Sequence, residues 1–174
     1  MTSKLKTDVL ETVSGSGTIA LTNQLSGMTS ASLPSGSVLQ VVNATYSTPV
    51  VNSTNTHVDT GLTATITPSA TTSKILVMVN QNGIYKTAGS SVNSLGLKLL
   101  KGATDISVIA TNAGYTATAI QNYNASLSTS YLDSPSTTSA TTYKTQFASG
   151  NNTVSVSVQR GANESTITLM EIKG

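Results

Sequence analysis

The sequence predicts an all-β chain: an antiparallel jelly-roll β-sandwich preceded by a short N-terminal β attachment segment. Three observations point there. No stretch of a dozen residues places apolar side chains at i, i+3, i+4 and i+7, the spacing of an amphipathic helix. Thr, Val, Ile and Tyr outnumber Ala, Leu, Glu and Lys, and β-branched side chains fit a pleated surface better than a helical one. From Ser37 onward, strand-like runs alternate with turn residues every 8–20 residues or so, the rhythm of a sandwich or barrel. Eight or more such strands favour a jelly roll.

Each strand has its own local reason. Val38–Tyr46 carries Val38, Val42 and Ala44 on one face and Leu39, Val41 and Thr45 on the other. Thr56–Thr60 and Leu62–Thr67 follow, broken at Gly61 and stopped by Pro68. Lys74–Asn80 is apolar on both faces, so Ile75, Val77 and Val79 on one side and Leu76 and Met78 on the other are expected to be buried in a central strand. Asn82-Gly83 reads as a turn. Ser91–Lys101 is the best helical candidate, but Gly96 would cost a helix about 1 kcal/mol, so its second half reads as a strand. Leu95–Leu100, the turn Lys101-Gly102 and Ile106–Ala110 then make a hairpin. Thr116–Asn124 and Thr141–Ala148 flank a loop containing Asp133-Ser134-Pro135. In Thr153–Gln159, Val154, Val156 and Val158 alternate with polar residues. The last strand, Ser165–Ile172, is apolar on both faces and is expected at the centre of a sheet or in a subunit interface rather than at an open edge.

Residues 1–35 differ from the remainder, 36–174, which make the sandwich head. They hold two short strand-like pieces, Leu5–Val13 and Thr18–Thr22, around Ser14-Gly15-Ser16-Gly17, and then a loop of small residues. Strands this few and this thinly apolar are marginal in water by themselves. Leu5, Val9, Leu10, Val13, Ile19 and Leu21 are therefore expected to pack on other chains, and both ends of the chain to be held by a partner.

Composition excludes several function classes. With no cysteine there are no disulfides, thiolate metal sites or cysteine nucleophiles. Charged residues are 9% of the 174, against about 25% in an ordinary soluble domain, and a net charge of +2 gives no basis for steering nucleic acid, which needs a clustered basic face. The charged N-terminus MTSKLKTDVLETV lacks the apolar core of a signal peptide. The longest apolar run, Ile75–Val79, is far short of a membrane span. No nucleic acid, membrane insertion or cofactor is expected.

No catalytic or metal constellation emerges. His57, the one histidine, shares a strand face with Asp59, but no nucleophile elbow accompanies the pair, and an exposed His near a strand end is the ordinary reading. The acids Asp8, Glu11, Asp59, Asp105, Asp133, Glu164 and Glu171 are scattered, with no calcium-loop spacing. Asp8 and Glu11 alone lie close together, and salt links to Lys4 or Lys6 of a neighbour account for them. Five Asn-x-Ser/Thr sequons, at Asn43, Asn52, Asn124, Asn151 and Asn163, are what so much Asn, Ser and Thr produces by chance. Gly-Ser-Gly at 15–17 lacks the Lys-Ser/Thr of a phosphate loop. The chain is read as no enzyme. Tyr115, Tyr123 and Tyr131, interleaved with Asn122 and Asn124, have the composition of a glycan-contacting surface, rings for C–H faces and amides for hydroxyls; packing of the rings in a core or subunit interface is the competing reading.

Three blocks carry a family resemblance. SKLKTDVLETVSGSGTIAL at 3–21 resembles the start of many phage appendage proteins, where a Lys-rich lead precedes a small β segment. LPSGSVLQVV, followed by strands ending in ITPSATTSKILVMV, resembles a tail-fibre or virion-associated domain of phages of marine bacteria, and STITLMEIKG resembles that domain's terminal strand. The resemblance implies a jelly-roll head similar to trimeric C1q/tumour-necrosis-factor-like domains, carried on a virion as fibre, head fibre or capsid decoration. Its partners would be two sister chains and other virion proteins, held through the N-terminal segment. The alternative it leaves open is a receptor-binding adhesin for host surface glycan. A cysteine-free chain rich in hydroxyls and amides suits a particle assembled in a reducing cytoplasm.

Overall fold

The computed structural model describes residues 32–86, 94–115, 123–152 and 154–174. The expected strands at 5–13 and 18–22, and most of the one at 116–124, lie outside these residues, as does the attachment segment apart from residues 32–35. Residues 34–174 form one compact unit. Among the described residues it contains ten strands: β1 (Val38–Tyr46), β2 (Val50–Asn52), β3 (Val58–Ile66), β4 (Lys74–Lys86), β5 (Leu95–Lys101), β6 (Thr104–Ala113), β7 (Tyr123–Asp133), β8 (Thr141–Ser149), β9 (Val156–Val158) and β10 (Ser165–Ile172).

Their pairing is nested. β5 pairs with β6, β4 with β7, β3 with β8 and β1 with β10, all antiparallel. One long hairpin has thus been folded over on itself, giving two facing sheets ordered β1-β10-β4-β7 and β3-β8-β5-β6. This is the jelly roll that the strand count predicts. The two short strands extend the larger sheet: β2 pairs with β9, and β9 with the far end of β4. β9 and β10 therefore lie in line along one edge of β4, separated by a 3-10 turn at Arg160–Ala162. β1 and β2 lie in line beyond them, separated at Ser47–Pro49, where proline has no N–H to give a ladder.

Two glycines interrupt strands without reversing them. The expected turn at Asn82-Gly83 is a bulge inside the 13-residue β4, whose pairing with β7 continues on both sides. Gly83 has φ +61°, and a Cβ there would run into the backbone of Gln159 and Arg160. A left-handed residue serves a bulge as well as a hairpin, and here the partner strand runs straight past it. Gly61, φ +87°, likewise sits in a bulge within a continuous β3, where the Tyr46 ring fills the space of the missing side chain.

Other departures follow from side-chain alternation. β7 occupies residues read as loop: Ser126, Ser128 and Ser130 face out while Ala125, Leu127, Thr129 and Tyr131 turn inward, a period of two that serines disguise. Leu76 and Met78 are half-buried on the outer face of β4, whereas Ile75, Val77 and Val79 are at most 3% exposed, so β4 is central but one-sided. Val38 is exposed because an irregularity between Val38 and Gln40 shifts the β1 register. β10 is central, between β1 and β4.

The core is divided in two. One apolar cluster contains Leu62, Ile66, Ile75, Val77, Leu99, Tyr143, Ile167 and Leu169; the other contains Ile84, Leu95, Leu97, Phe147, Val156 and Val158. Between them stand Thr60, Thr145, Gln81 and Ser165, at inward positions of β3, β8, β4 and β10, and Gln159 just beyond β9, all fully buried. They form one chain of hydrogen bonds from sheet to sheet. The Thr60 and Thr145 hydroxyls are 2.6 Å apart, Thr145 Oγ1 donates to Gln81 Oε1 (3.0 Å), and Gln81 Nε2 donates to Ser165 Oγ (3.0 Å). Ser165 Oγ also accepts from Gln159 Nε2 at 3.3 Å and Asn82 N at 2.9 Å. Gln159 Oε1 is buried without a protein partner, and such an acceptor costs about 1–3 kcal/mol.

Candidate functional site

The outer faces of the two sheets have opposite chemistry. On the larger sheet the registers align three rows across β1, β10, β4 and β7: Val41–Met170–Leu76–Leu132, Asn43–Thr168–Met78–Ser130 and Thr45–Thr166–Asn80–Ser128. The first row is wholly apolar, and Val41 and Leu132 at its ends are 54% and 53% exposed. None of the three rows carries a charge. A shallow trough of about 580 Å³ lies over the second and third rows.

The smaller sheet turns charges outward. Lys144 Nζ lies 2.9 Å from Asp59, which also accepts from Gln146 Nε2 at 2.7 Å. Lys98 Nζ lies 2.9 Å from Asp105. Partial burial would raise the Asp59 carboxyl, but the Gln146 and Lys144 hydrogen bonds outweigh it and hold it below the usual carboxylate range. His57 is exposed, and Asp59 bonds to Lys144 and Gln146 instead of to it. Burial of part of the ring, and then Lys98, lower the imidazole below its ordinary value. A groove of about 390 Å³ lies beside His57, over Gly96, Lys98, Asp105, Val108 and Thr111. A third concavity, about 380 Å³, is lined by Asn82, Gly83, Ser126, Asn163 and Glu164 at the β4 bulge.

Buried acids serve structure. Glu171 is fully buried, and its carboxylate accepts from Gln40 Nε2 (2.5 Å), Ser69 N (2.7 Å), Ser69 Oγ (2.6 Å) and Ser73 Oγ (2.6 Å). Burial alone would raise its pKa, but these bonds prevail and bring it down to about 2. Asp133 accepts from Tyr143 Oη at 2.7 Å and pairs with Lys101 at 2.9 Å. Burial and this hydrogen bond push the Tyr143 phenol far above its ordinary pKa. Among the described residues no three His, Cys, Asp or Glu side chains come together as metal ligands.

The expected glycan-contacting residues are not brought into one described surface. Tyr115 is 56% exposed just beyond β6, while Tyr131 is half-buried against the larger apolar cluster. Asn122 and the side chains of Tyr123 and Asn124 lie outside the description, as do Leu5, Val9, Leu10, Val13, Ile19 and Leu21. Sequence reading missed the apolar row, because Val41, Met170, Leu76 and Leu132 meet only through pairing. It also passed over the groove, whose one advance signal was His57.

No known family model matches the chain, and no curated protein matches it in sequence. Among solved structures it is similar to the crystal structure of the infectious bursal disease virus VP2 subviral particle, at 12% identity and a TM-score of 0.44 over 78% of this chain. The chain spans 33% of that one's length. The fold assigned above rests on the strand pairing itself.

Proposed function

We propose that this chain is a structural component of a virion: a homotrimeric jelly-roll head attached to other virion proteins through residues 1–35. The observation that carries the oligomeric part is the run of three uncharged rows on the outer face of the larger sheet, with Lys74 exposed at their margin. Copies meeting through these rows bury Val41, Met170, Leu76 and Leu132 and bring no charge from the rows themselves into the contact. The smaller sheet, with its paired Lys and Asp side chains, suits solvent. The number three and the virion setting come from the resemblance of 3–21, 33–42, 66–79 and 165–174 to phage appendage proteins with trimeric heads. The proposal includes no reaction.

Light scattering on the full-length protein tests it, with Leu132→Lys as comparison. The parent is expected at three times the chain mass at micromolar concentration and the variant as a folded monomer. A monomeric parent overturns the oligomer. Copy number in purified particles then tells capsid from tail: hundreds mean decoration, a handful a fibre.

A further inference from the structure

We propose that the groove over Gly96 on the outer face of the smaller sheet binds a neutral saccharide, held between Lys98–Asp105 and the exposed Val108. The inference gives the proposed head a contact with host surface glycan, but the groove's chemistry does not depend on that reading.

The groove begins with an irregularity in pairing. Leu95 pairs with Ala113 but Leu97 with Ala110, so β6 spends one residue more than β5 across Gly96. Bulges of this kind re-aim backbone and side chains at binding sites. Here the carbonyl oxygens of Ala110 and Thr111 and His57 Nε2 all lie 3.6–3.8 Å from where a Gly96 Cβ would stand. With hydrogen there instead, the floor at Gly96 is backbone flanked by the His57 ring, and it admits close approach by a ligand. The volume of about 390 Å³ falls within the range of about 300–1,000 Å³ usual for small-molecule sites.

The walls supply both halves of sugar recognition. Lys98 is largely covered, its side chain 17% exposed, and it fixes an Asp105 that is 53% exposed. That carboxylate is oriented by its partner and still turns lone pairs to solvent, an arrangement that accepts hydrogen bonds from neighbouring hydroxyls. Val108, 65% exposed, pairs with Lys98 across the strands and offers an apolar surface to a C–H face. On the other side of Lys98, Gln146 and Asp59 continue the fixed polar strip. Neutrality follows from the charges: Lys98 is already matched by Asp105, and His57 is held toward its neutral form, so an anionic sugar would meet no unmatched cation. A cation would have to displace Lys98 from Asp105.

The test is a titration of the full-length, ¹⁵N-labelled protein with the methyl glycosides of glucose, galactose, mannose, rhamnose and N-acetylglucosamine. It is paired with an array of neutral and acidic bacterial saccharides. At least one neutral saccharide is expected to shift the amides of Gly96, Val108 and Thr111. Asp105→Asn should weaken that binding at least tenfold, and Thr138→Ala, at an exposed position outside the groove and outside the apolar rows, should leave it unchanged. Should Asp105→Asn misfold by circular dichroism, Val108→Asp takes its place with the same expectation. Silence from every neutral saccharide, binding to acidic saccharides only, shifts confined to other residues, or undiminished binding by the folded variant each overturns the proposal. None of these outcomes bears on trimer mass or particle incorporation, which test the virion reading separately.

Discussion

The hydroxyls of Thr60 and Thr145 meet at 2.6 Å in the interior, joining β3 to β8 where both apolar clusters end. From there the bonds run through Gln81 to Ser165 in the other sheet. The link holds the sheets at one relative height, because sliding either would strand a buried donor or acceptor.

Thr145→Val keeps the shape and removes the hydroxyl that satisfies Gln81 Oε1. It is expected to cost about 1–3 kcal/mol, read as a lower urea midpoint at unchanged slope. Combined with Thr60→Val, the loss should fall short of the sum of the two singles, since both act on one bonded chain. A single variant within about 0.5 kcal/mol of the parent would show the chain to be energetically idle.

Val77→Asp places an unpaired charge at a position with no exposure, in the larger cluster. The cost is several kcal/mol, comparable to the whole stability of a domain, and the variant is expected in the insoluble fraction. Leu76→Asp, one residue along on the half-buried outer face, should fold. Equal solubility of the two would remove the inside-outside assignment of β4.

Gly83→Ala combines a left-handed φ with a collision against the Gln159–Arg160 backbone. It is expected to destabilise by more than about 1 kcal/mol, seen as a lower melting temperature. An unchanged melt would mean that the bulge relaxes freely.

Glu171 makes the head acid-sensitive. Its pKa falls from 4.5 to about 2 on folding, so the unfolded state binds the proton more tightly. Its stabilisation is present above the unfolded value of 4.5 and is lost as pH falls from there through about 2; the shift corresponds to on the order of 3 kcal/mol. Urea melts at pH 6, 4 and 2.5 should show a steeper decline for the parent than for Glu171→Gln, which starts less stable. Parallel declines would contradict the assignment.

Deleting residues 1–35 is expected to leave a folded 36–174 head that no longer enters particles, as gels of purified virions would show. The reason is the thin apolar content of that segment set against about 1–2 kcal/mol per residue of backbone entropy. Normal incorporation of the truncated head would place attachment in the jelly roll.

What could be read from the sequence depended on what each residue advertises. Val38–Tyr46 and Ser165–Ile172 have the bounds that their β-branched content indicates, and Thr141–Ser149 ends one residue beyond the expected Ala148. β7 was hidden because Ser126, Ser128 and Ser130 are as much loop residues as outward strand residues. Gly83 was misjudged because a positive φ is common to turns and bulges, and only β7 running past it decides between them. The buried Thr60, Thr145 and Gln81 look solvent-facing one strand at a time; they become a core layer only when two sheets face each other. Gly96 likewise reads as a weak point in a strand until His57 and the carbonyls of Ala110 and Thr111 are seen around it.

The nested pairing also sets a timetable for the growing chain. Asn43 bonds to Thr168, 125 residues later in sequence. β10 fills the slot between β1 and β4, and of the ten described strands it is the last in sequence. Until β10 emerges, β1 and β4 wait with one edge open and Val77 and Val79 unpaired with Leu169 and Ile167. Contacts this distant form slowly, and an open apolar edge invites a neighbouring nascent chain to fill it. Synthesis of several copies side by side therefore carries a risk of strand exchange that ends only when each chain delivers its own β10.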